Sequence, residues 1–239
     1  MSAPLTLLVT CEHGGNQVPP AYRKLFEHAQ EALQSHRGWD PGALELAKKL
    51  ARRFQAPLIS STTSRLVVEL NRSPHHPRLF SEFMDSVPEE ERHKILAKYY
   101  TPYRDQVRDT IRDLVTSGRE VLHLSVHSFT PVLNGKARTA ELGLLFDPSR
   151  TPEAEFCQEW QRQFRETHPD WRVRRNYPYR GTDDGLTTAL RKRFLPETYL
   201  GIELEVTQAW PLGDTANWKL RQHQLVQSLD LMLSGQRSG

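Results

Sequence analysis

Short apolar runs that end abruptly in polar side chains alternate along this chain with segments of helical period. This alternation restricts the fold more than any other feature. Residues 5–11 are almost continuously apolar and run into Glu12-His13-Gly14-Gly15-Asn16. Glycines at such a strand end let the backbone turn sharply or approach a ligand closely. In residues 120–129, Leu122, Leu124 and Val126 face one way and His123, Ser125 and His127 the other. Further strands are expected over 142–148 and 198–208. One or two short strands are expected within 56–74, ending in Asn71-Arg72, and another at the start of 173–193. Helical periodicity covers 36–54, about 88–117 with a break near Pro102, about 151–167 and about 217–233. Asp40 reads as the cap of the first helix, with Pro41 in its first turn, and Gly118 closes the second. Strands alternating with helices imply an α/β fold, a three-layer α/β/α sandwich. No linker-like stretch divides the chain, so residues 1–239 read as a single domain.

Composition narrows the partners. Lysine and arginine number 32 against 29 aspartates and glutamates, a formal charge of +3. That near-balance argues against nucleic acid, despite the arginine-rich WRVRRNYPYRG at 171–181, and favours an anionic small molecule. The first apolar run is too short to span a bilayer and no basic stretch precedes it. It reads as a strand rather than a signal peptide, with no membrane association. Cys11 and Cys157 provide no disulfide framework, which points to a cytoplasmic location.

The polar groups gather at the C-terminal ends of the expected strands: Glu12-His13, Asn71-Arg72, His127-Ser128, and Glu203 with Glu205 on one face of the last strand. Two histidines and a carboxylate form a zinc set that keeps a position open for water. A further glutamate can act as general base, and an arginine beside an asparagine can grip a carboxylate. Each residue also has a plainer role open to it. His13 can be a turn residue, His127 a hydrogen-bonded core histidine, Asp40 a helix cap and Glu203 an ion-pair partner. His123 lies roughly 13 Å along the strand from His127, too far to share a metal, and reads as core. His36 frames a helix start, and His75 and His76 sit in a Pro-rich surface loop.

The ordered series VTCEHGGNQVP, HRGWDPGA, LNRSP, SVHSF, YPYRGTDDGLT and IELEVTQ resembles the motifs of the N-formylglutamate amidohydrolase family, over about residues 7–230. That family is similar to the zinc carboxypeptidase and aspartoacylase superfamily. The resemblance implies a phosphorylase/hydrolase-like fold with a mixed central sheet. It implies one Zn2+ per chain on His13 and His127, and a substrate carboxylate bound by Asn71 and Arg72. A glutamate on the late strand would activate water. In the wider superfamily a glutamate ligand lies three residues after the first histidine, where this chain has Asn16. Asp40 is the first candidate to complete the metal site and Glu12 the second. Glu205 is chosen as the base over Glu203. Arg65 is assigned to oxyanion stabilisation, and Tyr179, Arg180 and Gly181 to a substrate-side loop.

The implied reaction is hydrolysis of an N-formyl or other N-acyl acidic amino acid, a small-molecule substrate. The alternatives are a carboxypeptidase- or aspartoacylase-like deacylase with another substrate, and a metal-free protein that binds an anion through Arg72 and Arg180.

Overall fold

The computed structural model describes residues 5–235. Its strands are β1 (Leu5–Cys11), β2 (Leu58–Ser60), β3 (Glu120–Phe129), β4 (Val132–Leu133), β5 (Lys136–Ala137), β6 (Leu142–Leu145), β7 (Val173–Arg175) and β8 (Tyr199–Thr207). The α-helices are α1 (Gln30–Gln34), α2 (Ala43–Phe54), α3 (Glu89–Ile95), α4 (Thr101–Thr116), α5 (Thr151–Thr167), α6 (Leu186–Arg191) and α7 (Thr215–Gly235). The main sheet has the order β2-β1-β3-β8-β6-β7, and β4 and β5 form a separate hairpin. Strands β2, β1, β3 and β8 are mutually parallel, while β6 runs antiparallel to β8 and parallel to β7. The expected mixed sheet between two helical layers is present.

The period-2 pattern assigns the two faces. Leu7, Val9 and Cys11 of β1, Leu122, Leu124 and Val126 of β3, and Ile202, Leu204 and Val206 of β8 are buried in one cluster. Buried side chains of α2, α5 and α7, including Leu46, Trp160 and Leu229, complete it. Removing each such side chain from water contributes roughly 1.5–3 kcal/mol. Cys11 and Cys157 are free thiols within it. On the other face Leu8, Val121 and Tyr199 meet Val107 and Ile111 of α4 and Leu186 and Leu190 of α6.

Towards the C-terminal ends of the strands this second face turns polar. His123 sits between Thr10 Oγ1 at 2.9 Å and the Tyr199 hydroxyl at 2.8 Å, fully buried. Burial holds its pKa down at about 4, so it is a neutral core histidine, as its position on the strand implied.

Three local expectations change. Helix α2 begins at Ala43 behind Gly42, not at Pro41 behind an Asp40 cap, and no side chain caps it. Asp40 is therefore free for another role. The segment 61–81 contains no strand of the sheet beyond β2, although Leu66, Val67, Val68 and Leu70 are buried. Ser64 prevents an extended run: its hydroxyl donates to the Gly38 carbonyl and accepts from the Leu66 N–H, folding the chain into turns. The break expected near Pro102 is a π-helical stretch, Leu96–Tyr100, that ends just before α4.

Gly143 of β6 pairs with Glu205 of β8. A methyl group there would run into the Tyr177 carbonyl oxygen and lie 3.2 Å from the Glu205 Cβ. Gly143→Ala is expected to destabilise the protein by about 1–3 kcal/mol, the usual cost of overpacking. A denaturant titration would measure it, and an unchanged midpoint would show that the 177–179 loop moves freely off the sheet.

Candidate active site

The parallel order of β1, β3 and β8 delivers their C-terminal ends to one edge. The residue pairs of adjacent strands then stand side by side. His127 lies in register with Glu205, and Ser125 with Glu203. The loop after β1 carries His13 across the same edge. Its glycines approach a neighbouring segment closely: a methyl on Gly14 would lie 2.8 Å from the Ser61 carbonyl, and one on Gly15 2.8 Å from that of Thr62. The Gly14 N–H bonds that Ser61 carbonyl at 3.0 Å. The glycines therefore seat the loop on the chain leading to Arg65, rather than on a ligand.

His13, Asp40 and His127 form a buried cluster whose candidate ligand atoms all lie within 4.8 Å of one another. Asp40 Oδ2 is 3.3 Å from His13 Nδ1 and 3.0 Å from His127 Nδ1, and it accepts the Ser128 N–H at 3.3 Å. The outer nitrogens have partners of their own. His13 Nε2 bonds Glu69 Oε1. His127 Nε2 lies 3.1 Å from Glu12 Oε2 and 2.8 Å from Ser125 Oγ. An ionised carboxylate only accepts, so Glu69 and Glu12 each take a proton from Nε2, and Asp40 takes one from each Nδ1 unless a cation stands there; with a cation bound, the two Nδ1 lone pairs and Asp40 would be its ligands.

Glu12 is fixed in turn by the Ser125 hydroxyl at 2.6 Å and the Tyr103 hydroxyl at 2.7 Å. It stands behind His127 and outside the cluster. The Arg65 guanidinium bridges the remaining carboxylates, with Nη2 2.6 Å from Glu69 Oε2 and Nη1 3.4 Å from Asp40 Oδ1.

Burial opposes charge on these acids, yet all three stay ionised. Hydrogen bonds and charge from His127, Ser125 and Tyr103 hold Glu12 well below the usual carboxylate range. His13, His127 and Arg65 do the same for Asp40, and Arg65 and His13 for Glu69. With neutral imidazoles, three buried carboxylates face one guanidinium, a surplus of two negative charges. Two protons on the histidines can offset it, and so can one divalent cation. His2Asp with a remaining open position suits zinc. The donor set, the charge surplus and the carboxylate behind each imidazole all fit such an ion. Glu69→Gln is expected to weaken zinc binding roughly 10–100-fold. Competition against a chromophoric chelator would read this, and equal affinities would remove Glu69 from the support of His13.

Glu205 faces the cluster from β8. It is buried, and its Oε2 has no hydrogen-bond partner among the described residues. Burial raises its pKa to about 7, with the Asp40 and Glu203 charges adding and His127 opposing. Glu203, one pleat back, accepts the Thr187 hydroxyl at 2.7 Å.

The other expected residues are placed less uniformly. The Asn71 N–H bonds Glu69 Oε1 at 3.0 Å, while its side-chain oxygen accepts the Leu186 N–H at 2.7 Å at the start of α6. Arg72 Nη1 donates to the Asp184 carbonyl at 2.5 Å. Tyr179 lines a cleft of about 620 Å3 with Arg65, Glu69 and His36. Arg180 is exposed, and the Gly181 N–H bonds Asn176 Oδ1 at 3.0 Å. Asn16 donates to the Leu33 carbonyl at 3.0 Å, a scaffold contact. Sequence reasoning missed Glu69. Its only signal was a carboxylate closing the apolar run two residues before Asn71.

The family model described as N-formylglutamate amidohydrolase matches residues 5–210. The crystal structure of gene product Atu2144 from Agrobacterium tumefaciens is similar at 30% identity and a TM-score of 0.82, over 98% of this chain and 93% of that one. The crystal structure of N-formylglutamate amidohydrolase from Ralstonia eutropha JMP134 shares the fold at 17% identity and a TM-score of 0.69. It covers 100% of this chain and 96% of that one. No curated protein matches.

Proposed function

The chain belongs to the N-formylglutamate amidohydrolase family, and we propose that it is a zinc-dependent hydrolase of N-formyl acidic amino acids, with N-formylglutamate as substrate. One observation carries the zinc dependence: the buried His13–Asp40–His127 cluster, each imidazole backed by a carboxylate and turned toward Asp40. A zinc ion held by these three residues would acidify a water molecule and polarise the acyl carbonyl.

The rest of the chemistry belongs to the chain. Glu205, with a free buried oxygen beside His127, takes a proton from the attacking water. The water oxygen bonds the formyl carbon, the C–N bond breaks, and Glu205 returns the proton to the departing amine. Formate and the free amino acid result. Arg65 keeps Asp40 and Glu69 in place, and its side chain, 27% exposed, reaches the cleft where negative charge develops on the carbonyl oxygen. Asn71 and Arg72, at the joint between the Glu69 turn and α6, hold the α-carboxylate. Tyr179, Arg180 and Gly181 form the substrate side of the cleft.

Formate and glutamate release from N-formylglutamate, before and after chelation, tests this. The expected result is release that chelation stops and added zinc restores. Zinc-replete protein that hydrolyses no N-acyl acidic amino acid would discard the substrate class. Release indifferent to complete metal removal would discard the zinc.

A further inference from the structure

Arg138 follows the β4–β5 hairpin, and its backbone N–H is tied to the Pro131 carbonyl at 2.7 Å. Its guanidinium stands 4.9 Å from the Tyr179 ring centroid and 5.8 Å from that of Phe129, the residue that ends β3 two positions after His127. One Nη donates to the Tyr179 hydroxyl at 3.1 Å and reaches the Thr130 carbonyl at 3.5 Å. Among the described residues no carboxylate pairs with it. The neighbouring cations differ: Arg65 is taken by Asp40 and Glu69, and Arg37 by Glu82. Tyr179 lines the same cleft as Arg65, Glu69 and His36. The hydrogen bond to Tyr179 sets Arg138 beside that cleft.

A part-buried arginine with aromatic support but no acid beside it is a cation kept for something that arrives. A guanidinium has five N–H donors in a fixed fork, and most of these remain available for bidentate contact with a carboxylate. Two rings already restrict the side chain, so a ligand meets a fork whose freedom is largely spent. A dianionic substrate has to approach a site that holds the buried carboxylates Asp40, Glu69 and Glu205. It gains from a second cation at the rim, away from the one that grips its α-carboxylate. Among the described residues neither Arg78 nor Arg180 sits over an aromatic ring, and neither is held in this way.

We propose that Arg138, anchored on Tyr179 and Phe129, binds the distal carboxylate of the substrate and so sets the preference for an acidic amino acid. The inference rests on the amidohydrolase reading. Its test compares N-formylglutamate with its neutral isostere N-formylglutamine in zinc-loaded wild type, Arg138→Met and Arg138→Lys. Methionine keeps an apolar stem against the rings, and lysine keeps a charge without the fork.

The wild type is expected to prefer the glutamate substrate. In Arg138→Met the ratio of the two kcat/KM values should fall roughly 10–100-fold, the weight of a hydrogen-bonded charge contact. The change should lie mainly in KM for N-formylglutamate, at unchanged zinc content, with Arg138→Lys in between. A ratio that stays constant, equal losses on both substrates, or a wild type indifferent between them would overturn the role of Arg138. A wild type that hydrolyses neither substrate would remove the amidohydrolase reading itself, and the inference with it.

Discussion

His127→Ala is expected to lose both the bound zinc and the hydrolytic activity. His127 joins Asp40 to Glu12, through Nδ1 and Nε2. Alanine removes a proposed metal ligand and leaves two buried carboxylates facing a cavity. A cation that polarises a carbonyl is worth several kcal/mol of transition-state stabilisation. At about 1.4 kcal/mol per tenfold, the activity should fall by roughly a thousandfold or more. Zinc content after gel filtration and formate release from N-formylglutamate are the readouts. Circular dichroism shows whether the sheet survives. A folded variant that keeps stoichiometric zinc and full turnover would contradict the site.

Glu205→Gln is expected to keep the zinc and lower kcat by roughly 100- to 10,000-fold, the range of general acid–base catalysis. The exchange is isosteric, and Oε2 has no partner among the described residues, so little packing or hydrogen bonding changes. A buried carboxyl raised to about 7 is suited to take and return a proton near neutrality. Glu203→Gln is the informative control. Glu203 is occupied by the Thr187 hydroxyl and stands in register with Ser125 rather than His127. If the large fall in kcat follows Glu203→Gln instead, the base is one pleat back and the substrate lies deeper over β8.

The layered fold was legible wherever side-chain period and burial agree. β1 and α5 span the expected residues, and β3 and β8 match closely, because one apolar face of each enters the same cluster. Legibility failed where polar side chains redirect the backbone. The LVVEL run at 66–70 is buried as a strand would be, but the Ser64 hydroxyl folds it into turns. That same turn brings Glu69 to His13, so misreading the segment as a strand also concealed the carboxylate.

Asp40 shows the limit of local grammar. An aspartate before proline fits a helix cap, yet α2 starts behind Gly42, and the Asp40 carboxylate is drawn by two imidazoles and Arg65. Which strand ends meet depends on strand order. The sequence showed His13, His127 and Glu205 as polar ends, but not that β3 lies between β1 and β8. Asn16 shows how a motif position can be taken up by a scaffold contact: it holds the Leu33 carbonyl.

The central claim is that His13, Asp40 and His127 together hold one divalent cation in front of Glu205. Anomalous diffraction at the zinc edge, from crystals grown with equimolar zinc, tests it most directly. One strong peak is expected at about 2.0–2.2 Å from His13 Nδ1, Asp40 Oδ2 and His127 Nδ1. A peak on other residues, or none at this cluster with zinc supplied, would contradict it.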